Sequence, residues 1–361
     1  MNCWMKKQFA MRLQNKKEIV MGEYKNRIAE YQTLDNTESS IAYPLKGLHI
    51  ELSNICNHQC LFCANRKMTR KKGFIDEKLL IRILKEAYEE GFREVGFYSN
   101  GEPFMSKNLG EYIKWAKEIG YTYVYIDTNG GSVEFSTIKE VLDVGLDSIK
   151  FSINGTNREN YKLIHGRDDF DRVMNNLRKT YKYKQTINNK LKVFVSIAIT
   201  RFVENTYEKF VEECKKHCDE VLINSVIEMG GYINEEMKLI STSIDFSKGM
   251  SIPCYMLWNG VFVTYEGYLT ACCADFQNYF VYADLNRDSL REAWNNEYIT
   301  KLRKRHLKGD IEGMPCVSCV AARKCKWEPL REEYATICDE KVIGKYDIED
   351  RIKQYKEVTK E

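Results

Sequence analysis

Short apolar segments alternate six times with amphipathic helical segments over about 47–232. Several helical segments end at a glycine, such as Gly91 and Gly120, which is a common helix stop. Such a series predicts βα units with a parallel sheet, which right-handed crossovers curl into a barrel or partial barrel. The predicted fold class is therefore α/β. The predicted strands are 47–53, 94–99, 121–128, 147–154, 192–200 and 220–230.

The alternation stops near residue 240. Short strands, closely spaced cysteines and one helix at 289–305 replace it. This change predicts a domain boundary near 235–250. The predicted units are an N-terminal helical extension at 1–46, with a helix at about 5–31, a barrel at 47–235, a small cysteine-containing domain at 250–340 and a charged C-terminal helix at 341–361.

Thirteen cysteines, clustered rather than evenly spread, indicate the class of protein. The N-terminus lacks the apolar stretch of a secretion signal, and no segment is apolar enough to span a membrane, so we expect a cytoplasmic protein. In a reducing compartment, clustered cysteines indicate zinc or iron–sulfur sites rather than disulfides. The 55 basic and 52 acidic residues nearly cancel, which disfavours nucleic acid as a partner.

Three cysteines, Cys56, Cys60 and Cys63, follow the first predicted strand directly. A [4Fe–4S] cluster normally takes four cysteines, so three would leave one iron open to an exogenous chelator. Structural zinc is the alternative, although zinc sites usually use two C-x2-C pairs rather than a lone triple. The basic run at 66–72, formed by Arg66, Lys67, Arg70, Lys71 and Lys72, is interpreted as solvated surface, with contact to an anionic substrate as the alternative.

The C-x3-C-x2-C spacing, with Phe62 before the last cysteine, resembles the signature of the radical S-adenosylmethionine (SAM) superfamily. The second predicted strand leads into Asn100-Gly101-Glu102-Pro103, which is similar to the GGEP motif of that family, with Asn100 in place of the first glycine. A Thr128-Asn129-Gly130 segment closes the third strand. The resemblance implies a partial (β/α)6 barrel, a [4Fe–4S] cluster on the three cysteines, and SAM bound to the open iron.

The resemblance also implies residues that contact SAM. Glu102 would accept a charge-assisted hydrogen bond from the methionine ammonium, and Arg167 would bind the methionine carboxylate. Ser152 and Asn154 would reach the ribose hydroxyls, and the backbone beside Phe62 would meet the adenine edge. The complete set of predicted cofactor contacts is Phe62, Gly101, Glu102, Thr128, Asn129, Ser152, Asn154 and Arg167.

A second group of cysteines lies near the C-terminus. Twelve residues separate Cys254 from Gly267, four separate Gly267 from Cys272, and Cys316-x2-Cys319-x5-Cys325 follows a predicted helix. This arrangement resembles the SPASM domain over about 250–340. SPASM is the auxiliary-cluster module of anaerobic sulfatase-maturating enzymes and several peptide maturases. The resemblance implies at least one auxiliary [4Fe–4S] cluster.

One position departs from the full SPASM motif, because Pro329 stands where a further cysteine is expected. Two ligand sets therefore remain. In a shortened, Twitch-like arrangement, similar to that of the butirosin aminocyclitol dehydrogenase, the ligands would be Cys254, Cys272, Cys316 and Cys319. In the alternative, which places the cluster in the outer position, they would be Cys316, Cys319, Cys325 and Cys338. The intact spacing of Cys254 and Cys272 favours the first set.

These features predict a radical SAM oxidoreductase, in which a 5′-deoxyadenosyl radical takes a hydrogen atom from the substrate. We expect a carbohydrate-like or aminocyclitol-like small molecule, with His165 as a candidate base for its alcohol proton. A ribosomally made peptide is the alternative, although only 46 residues precede the barrel and a leader-binding domain needs more. A flavodoxin or ferredoxin is the expected reductant. A zinc or electron-transfer scaffold is the non-enzymatic alternative, but it would not need the strand-end motifs.

Overall fold

The structure, a computed structural model, describes residues 24, 39–42, 47–187, 190–242, 252–321, 327–336 and 348–359. The strands are β1 Gly47–Ile50, β2 Glu94–Gly96, β3 Tyr123–Thr128, β4 Ser148–Ser152, β5 Lys192–Ile199, β6 Glu220–Ser225, β7 Gly260–Val263, β8 Tyr268–Thr270 and β9 Val281–Asp284. They form one sheet in the order β6-β5-β4-β3-β2-β1-β7-β8-β9. Strands β1 to β6 pair in parallel, which confirms the predicted α/β partial barrel.

Helices connect the parallel strands and cover one face of the sheet. The first six helices in chain order lie between successive strands from β1 to β6. The helices within the described residues are α1 Glu77–Glu89, α2 Leu109–Ile119, α3 Phe135–Asp143, α4 Arg158–His165, α5 Phe170–Lys184, α6 Tyr207–Cys214, α7 Asn234–Ile240, α8 Met256–Asn259, α9 Leu290–Trp294, α10 Glu297–Lys308, α11 Cys316–Ala321 and α12 Ile348–Thr359. None of these described helices is long and apolar enough to cross a membrane.

Local sequence explains where individual helices begin and end. Helix α1 begins after Asp76, whose carboxylate accepts a hydrogen bond from the Leu79 amide at 2.9 Å. Helix α4 begins with a reciprocal capping box between Asn157 and Asn160, and it ends at Gly166 in the left-handed conformation. Because α4 ends here, the segment that follows it turns back towards the loop after β1.

Two predicted elements are shorter or divided in the structure. The last predicted barrel strand, 220–230, ends at Ser225. The predicted C-terminal end at Gly230 lies in a turn, where Gly230 and Gly231 take positive φ angles that a strand does not adopt. The helix predicted at 289–305 is two helices, α9 and α10. The Asn296 side chain caps the second by accepting from the Tyr298 and Ile299 amides, so it begins a new helix.

Alternation along the parallel strands separates a helix-facing side from an interior side. On β4, Ile149 and Phe151 belong to the main apolar core, whereas Lys150 between them does not. Lys150 lies opposite Asp127 of β3 and Phe194 of β5 in the strand register. These three side chains therefore share the concave interior of the partial barrel, which we call the lumen.

Strands β7, β8 and β9 extend the barrel sheet rather than forming a sheet of their own. Strand β7 pairs in parallel with β1, with His49 opposite Phe262, and β8 and β9 follow in antiparallel pairs. The part of the chain predicted as a separate cysteine-containing domain is thus joined to the barrel through backbone hydrogen bonds. Helix α12 lies within the predicted C-terminal segment and packs against α4. The N-terminal helix predicted at about 5–31 lies outside the described residues apart from Tyr24.

Candidate active site

The loop after β1 brings Cys56, Cys60 and Cys63 together at the C-terminal end of the sheet. Two backbone hydrogen bonds fix the loop against the end of α4: Gln59 N donates to His165 O at 3.0 Å and Leu61 N to Ile164 O at 2.9 Å. Burial raises the pKa of the Cys60 thiol well above its ordinary value, and the negative charges of Cys63 and Cys56 raise it further.

The other two thiols show the same pattern. Burial, followed by the charge of Glu102, raises the pKa of Cys56 to about 12, and burial also raises the pKa of Cys63. Three close, strongly desolvated thiolates are unfavourable without a bound cation. The donor set therefore fits a metal or an iron–sulfur cluster, which would stabilise the ionised sulfurs.

Glu102 lies beside this loop, and its carboxylate is buried. It accepts hydrogen bonds from Thr128 Oγ1 at 2.6 Å, the Asn129 amide at 2.8 Å and the Phe104 amide at 3.3 Å. Burial outweighs these bonds and raises the pKa of Glu102 above its ordinary value. Among the described residues, no lysine or arginine forms a salt bridge with Glu102. The site therefore fits a cationic ligand group such as an ammonium.

The backbone at Gly101 is packed directly against the cysteine loop. A Cβ atom there would lie 2.0 Å from the carbonyl oxygen of Ser53, so glycine is required by the close approach of two chain segments. The amide of Glu102 donates to Ile55 O at 2.9 Å. Asn100, the departure from the family motif, donates to the carbonyl of Asp275 at 3.5 Å and so contacts the loop after β8.

The structure distributes the remaining predicted SAM contacts around the same edge of the sheet. Asn129 donates to Asn57 Oδ1 at 2.8 Å and lies 3.9 Å from Cys56 Sγ. Phe62 is partly buried and packs against the main apolar core and two smaller apolar clusters, one that includes Ala64 and one that includes Leu61. Arg167 donates through Nε to Asn57 O at 2.8 Å, which supports the cysteine loop. Its predicted contact with the methionine carboxylate stays a prediction.

Ser152 and Asn154 lie at the end of β4. Ser152 is half-buried, with its hydroxyl 3.4 Å from that of Ser196. Asn154 Oδ1 accepts from the Ala198 amide at 2.8 Å, so that oxygen already joins β4 to β5. Ser152 is therefore the more available of the two for a ribose hydroxyl, and both assignments stay predictions.

His165 does not lie on the protein surface, as a helical histidine in a charged segment often does. Its ring is 1% exposed, stacks on Tyr161 at a centroid distance of 4.1 Å, and accepts the Asn154 amide through Nε2 at 3.1 Å. Burial lowers its pKa well below the ordinary value, because a charged ring would lose its hydration there. Three residues that were not predicted as site residues also belong to this region. His58 lies within the cysteine loop, and Asp169 and Lys72 lie beside it.

The interpretation of 66–72 as a solvated basic surface is wrong for much of the run. Arg66 and Lys67 both pair with the buried carboxylate of Glu236. Arg70 lies between Glu51, at 2.6 Å, and Glu266, at 2.5 Å. Each cation is buried because an acid far away in sequence neutralises it, and the sequence pattern of the run alone does not show this partner.

Four cysteines of the C-terminal group also lie close together. Burial, followed by the charge of Cys272, raises the pKa of Cys254 to about 12 and that of Cys319 to about 11. The pKa of Cys316 is raised well above its ordinary value by burial and then by Cys272, Cys254 and Cys319. Cys325 and Cys338 lie outside the described residues. The predicted Twitch-like set is thus brought together, and the alternative set is not tested.

The lumen carries an ion pair one layer below the strand ends. Lys150 Nζ lies 2.6 Å from Asp127 Oδ2, and each side chain is about 15% exposed. Burial alone would lower the pKa of Lys150, but the Asp127 carboxylate reverses the effect and holds it above its ordinary value. The Tyr98 ring lies 5.9 Å from Lys150 Nζ and 5.7 Å from the Tyr125 ring. The lumen therefore combines opposite charges with aromatic surface.

Comparison with known families identifies the class of protein that this arrangement defines. Residues 50–214 match the sequence model of the radical SAM superfamily, and residues 254–320 match that of SPASM, an iron–sulfur cluster-binding domain. The chain therefore contains a radical SAM domain and, C-terminal to it, a SPASM domain. These domains imply a SAM-binding [4Fe–4S] cluster, SAM and auxiliary cluster binding.

Similar proteins differ in what they bind. The chain is 32% identical over 199 residues to an uncharacterized protein of Methanocaldococcus jannaschii, covering 55% of this chain and 62% of that protein, so it spans less than two-thirds of that relative. SuiB of Streptococcus suis bound to precursor peptide SuiA has 17% identity, covers 80% of this chain and 74% of SuiB, and gives a TM-score of 0.59. BtrN in complex with AdoMet and 2-DOIA is 16% identical, and the matched region covers 74% of this chain and 89% of BtrN with a TM-score of 0.50. At these identities, the two structures show the shared fold alone.

Proposed function

We propose that this protein cleaves SAM reductively at the loop after β1 and oxidises a small polar substrate held in the lumen. The observation that carries the first part is the placement of three partly buried thiols beside a buried carboxylate that forms no salt bridge with a lysine or arginine among the described residues. With both cofactors bound, the first cluster supplies the electron that cleaves SAM to a hydrogen-abstracting radical, and an auxiliary cluster can accept an electron from the substrate.

The residues of the chain would bind and orient these groups. Cys56, Cys60 and Cys63 would ligate the first cluster, and Glu102 would accept a hydrogen bond from the ammonium of SAM. Thr128 and the Asn129 amide hold Glu102 in place by donating to its two oxygens. A reductant such as a flavodoxin or ferredoxin would deliver the electron. The auxiliary ligands would be Cys254, Cys272, Cys316 and Cys319.

The ion pair in the lumen supports a substrate with hydroxyl or amino groups. Asp127 Oδ2 is bound to Lys150, which leaves Oδ1 of the same carboxylate to accept a proton from a substrate hydroxyl. Lys150 already donates to Tyr24 Oη at 2.7 Å, so a further N–H of the same ammonium would donate to a neighbouring substrate oxygen. The ring of Tyr98 or Tyr125 would provide an apolar surface for a carbon ring. These contacts favour a cyclic polyol or amino alcohol, and they replace His165 with Asp127 as the proposed base.

The reaction would then convert a secondary alcohol to a ketone. Asp127 would take the hydroxyl proton of the alcohol. The hydrogen atom on carbon and one electron, which complete the two-electron oxidation, would be accepted by the bound cofactors. A modified peptide is the second candidate, and the observation that favours it is the match to SPASM, the domain predicted above from its resemblance to the auxiliary module of peptide maturases.

The test supplies perdeuterated cyclitols and hexoses, and in parallel a set of deuterated synthetic peptides, to the reconstituted full chain with SAM and dithionite. Deuterium in 5′-deoxyadenosine, with one ketone for each SAM cleaved, is expected from a polyol. Asp127→Asn should slow ketone formation at least tenfold while leaving SAM affinity unchanged. Asp143→Asn is the matched control, since Asp143 lies at the end of α3 and pairs with Lys139. Deuterium transfer from peptides alone would contradict the polyol assignment.

A further inference from the structure

A chain of side-chain hydrogen bonds ends on one of the three loop cysteines. Asp169 Oδ2 lies 3.0 Å from His58 Nε2, and His58 Nδ1 lies 3.1 Å from His165 Nδ1. The same His165 nitrogen lies 3.4 Å from Cys60 Sγ. The two histidines are 4% and 1% exposed, so this chain is separated from solvent along most of its length.

The partners determine where each proton lies. The Asn154 amide is a donor and lies 3.1 Å from His165 Nε2, so that nitrogen must be the acceptor and the neutral ring carries its proton on Nδ1. The Asp169 carboxylate accepts from His58 Nε2, which leaves His58 Nδ1 as an acceptor. The Nδ1–H of His165 is therefore shared between His58 and the sulfur of Cys60.

A separate metal ion is the alternative explanation for these contacts, since potential ligand atoms of His58, Cys60 and His165 lie within 4.8 Å of one another. A metal on Nδ1 of His165 would move the ring proton to Nε2, where it would face the Asn154 N–H. Two donors would then point at each other in a buried site, which is unfavourable. The contacts are explained by hydrogen bonds without a further metal.

We propose that His165 is a positioning residue that donates a hydrogen bond to the Cys60 thiolate when the cluster is bound, and that Asp169 and His58 orient this donor. The inference rests on the proposed ligation of a cluster by Cys60. Hydrogen bonds to cluster sulfurs make reduction easier, because they stabilise the additional negative charge of the reduced state. This chain of hydrogen bonds would thereby favour reduction of the cluster, which is the first electron transfer of the reaction.

Packing supports a fixed donor rather than a mobile one. The Tyr161 ring stacks on His165 with an interplanar angle of 17°. A Cβ at Gly131 would lie 2.3 Å from Asp169 Oδ2 and 3.0 Å from His58 Nε2. Any larger residue at this position would therefore collide with the two side chains and disturb the Asp169–His58 contact. From outside, Arg351 of α12 donates to Gln59 O at 2.9 Å and holds the backbone just before Cys60. These contacts fix the ring and the sulfur relative to each other.

The experiment measures the reduction potential of the SAM-binding cluster by an EPR-monitored titration of the reconstituted full chain. That cluster is identified by the change in its reduced signal when SAM is added. His165→Phe keeps an aromatic ring against Tyr161 but removes the donor. The ratio of reduced to oxidised cluster at a fixed potential should fall about tenfold, a shift of about 59 mV. His165→Asn, which can donate from a similar position, should restore most of the loss.

His217→Phe is the control, since His217 is a partly exposed histidine on the turn after α6. Its potential should equal that of the wild-type protein. An unchanged potential in His165→Phe, or an equal fall in His165→Asn, would overturn the proposal. If His165→Phe takes up no iron, Asp169→Asn decides: a fall supports the chain, and an unchanged potential contradicts it. Absence of a SAM-sensitive signal in the wild-type protein would instead refute the proposed function itself, and the inference with it.

Discussion

Replacing Glu102 with glutamine tests whether a buried carboxylate holds the ammonium group of SAM. The two oxygens of Glu102 accept from different donors, Thr128 Oγ1 at 2.6 Å and the Asn129 amide at 2.8 Å. Glutamine has one carbonyl oxygen, so its amide nitrogen must face a donor or turn away, and the negative charge is lost. A hydrogen bond to a charged group contributes about 1.5–3 kcal/mol, so Kd for SAM should rise about 10- to 150-fold.

The assay is anaerobic calorimetry of SAM binding to the reconstituted full chain. Glu77→Gln is the matched control, because Glu77 is an exposed carboxylate that accepts from Asn108 at 2.7 Å and Tyr112 at 3.0 Å, away from the cysteine loop. The control should bind SAM like the wild-type protein. A Kd for Glu102→Gln within twofold of the wild-type value would remove Glu102 from the cofactor site.

The pH dependence gives an independent check of the same assignment. Burial raises the pKa of Glu102 above 4.5 in the cofactor-free protein. A carboxyl with a raised folded-state pKa destabilises the fold as pH rises through that value, and a bound ammonium would offset this cost. SAM affinity should therefore fall as the pH decreases through the raised pKa, because protonation removes the anion. Glu102→Gln should lack this step, and an identical pH profile in both proteins would refute the reasoning.

Two further predictions concern iron. The reconstituted protein should hold about eight irons per chain. Replacing Cys56, Cys60 and Cys63 with alanine should remove about half of this iron and abolish the release of 5′-deoxyadenosine. Tightly bound zinc with no iron uptake would refute the cluster assignment. Cys254→Ala should lose the auxiliary iron while Cys325→Ala keeps it, as measured by iron content and EPR; the reverse would select the alternative ligand set, and loss in both would indicate two partly ligated clusters.

Sequence patterns identified the parts of the site that depend on local spacing. The cysteine triple, the NGEP segment and the TNG segment each follow a strand, and parallel strands place their C-terminal ends at one edge of a sheet. The structure accordingly brings Cys56 within the electrostatic influence of Glu102, and Glu102 into contact with Thr128 and Asn129. The parallel pairing of β1 to β6 followed from the same βα alternation.

Contacts between distant segments were not predictable in this way. His58 and His165 are 107 residues apart, and their contact depends on how α4 ends at Gly166 and packs beside the loop. The sequence could place Lys150 and Asp127 on neighbouring strands. However, an error of one residue in the strand register would move either side chain to the helix-covered face of the sheet. The addition of β7 next to β1 depends on tertiary packing. An edge strand has unpaired backbone N–H and C=O groups that can pair with any strand placed beside it, so the sequence does not specify the partner.

The continuous sheet relates the two groups of cysteines to the lumen. Strand β7 pairs with β1, whose C-terminal end leads to the first group, and β8 leads directly to Cys272 and Cys273 of the second. Tyr98 connects the two regions: its pKa is raised by burial and then by Tyr125 and Asp127, and Cys273 contributes to the same effect. Under the proposed function, a substrate bound at Asp127 would lie near Tyr98, which is close enough to both Asp127 and Cys273 to interact with them electrostatically. This placement suits an oxidation, in which a hydrogen atom leaves towards the first group of cysteines and an electron towards the second.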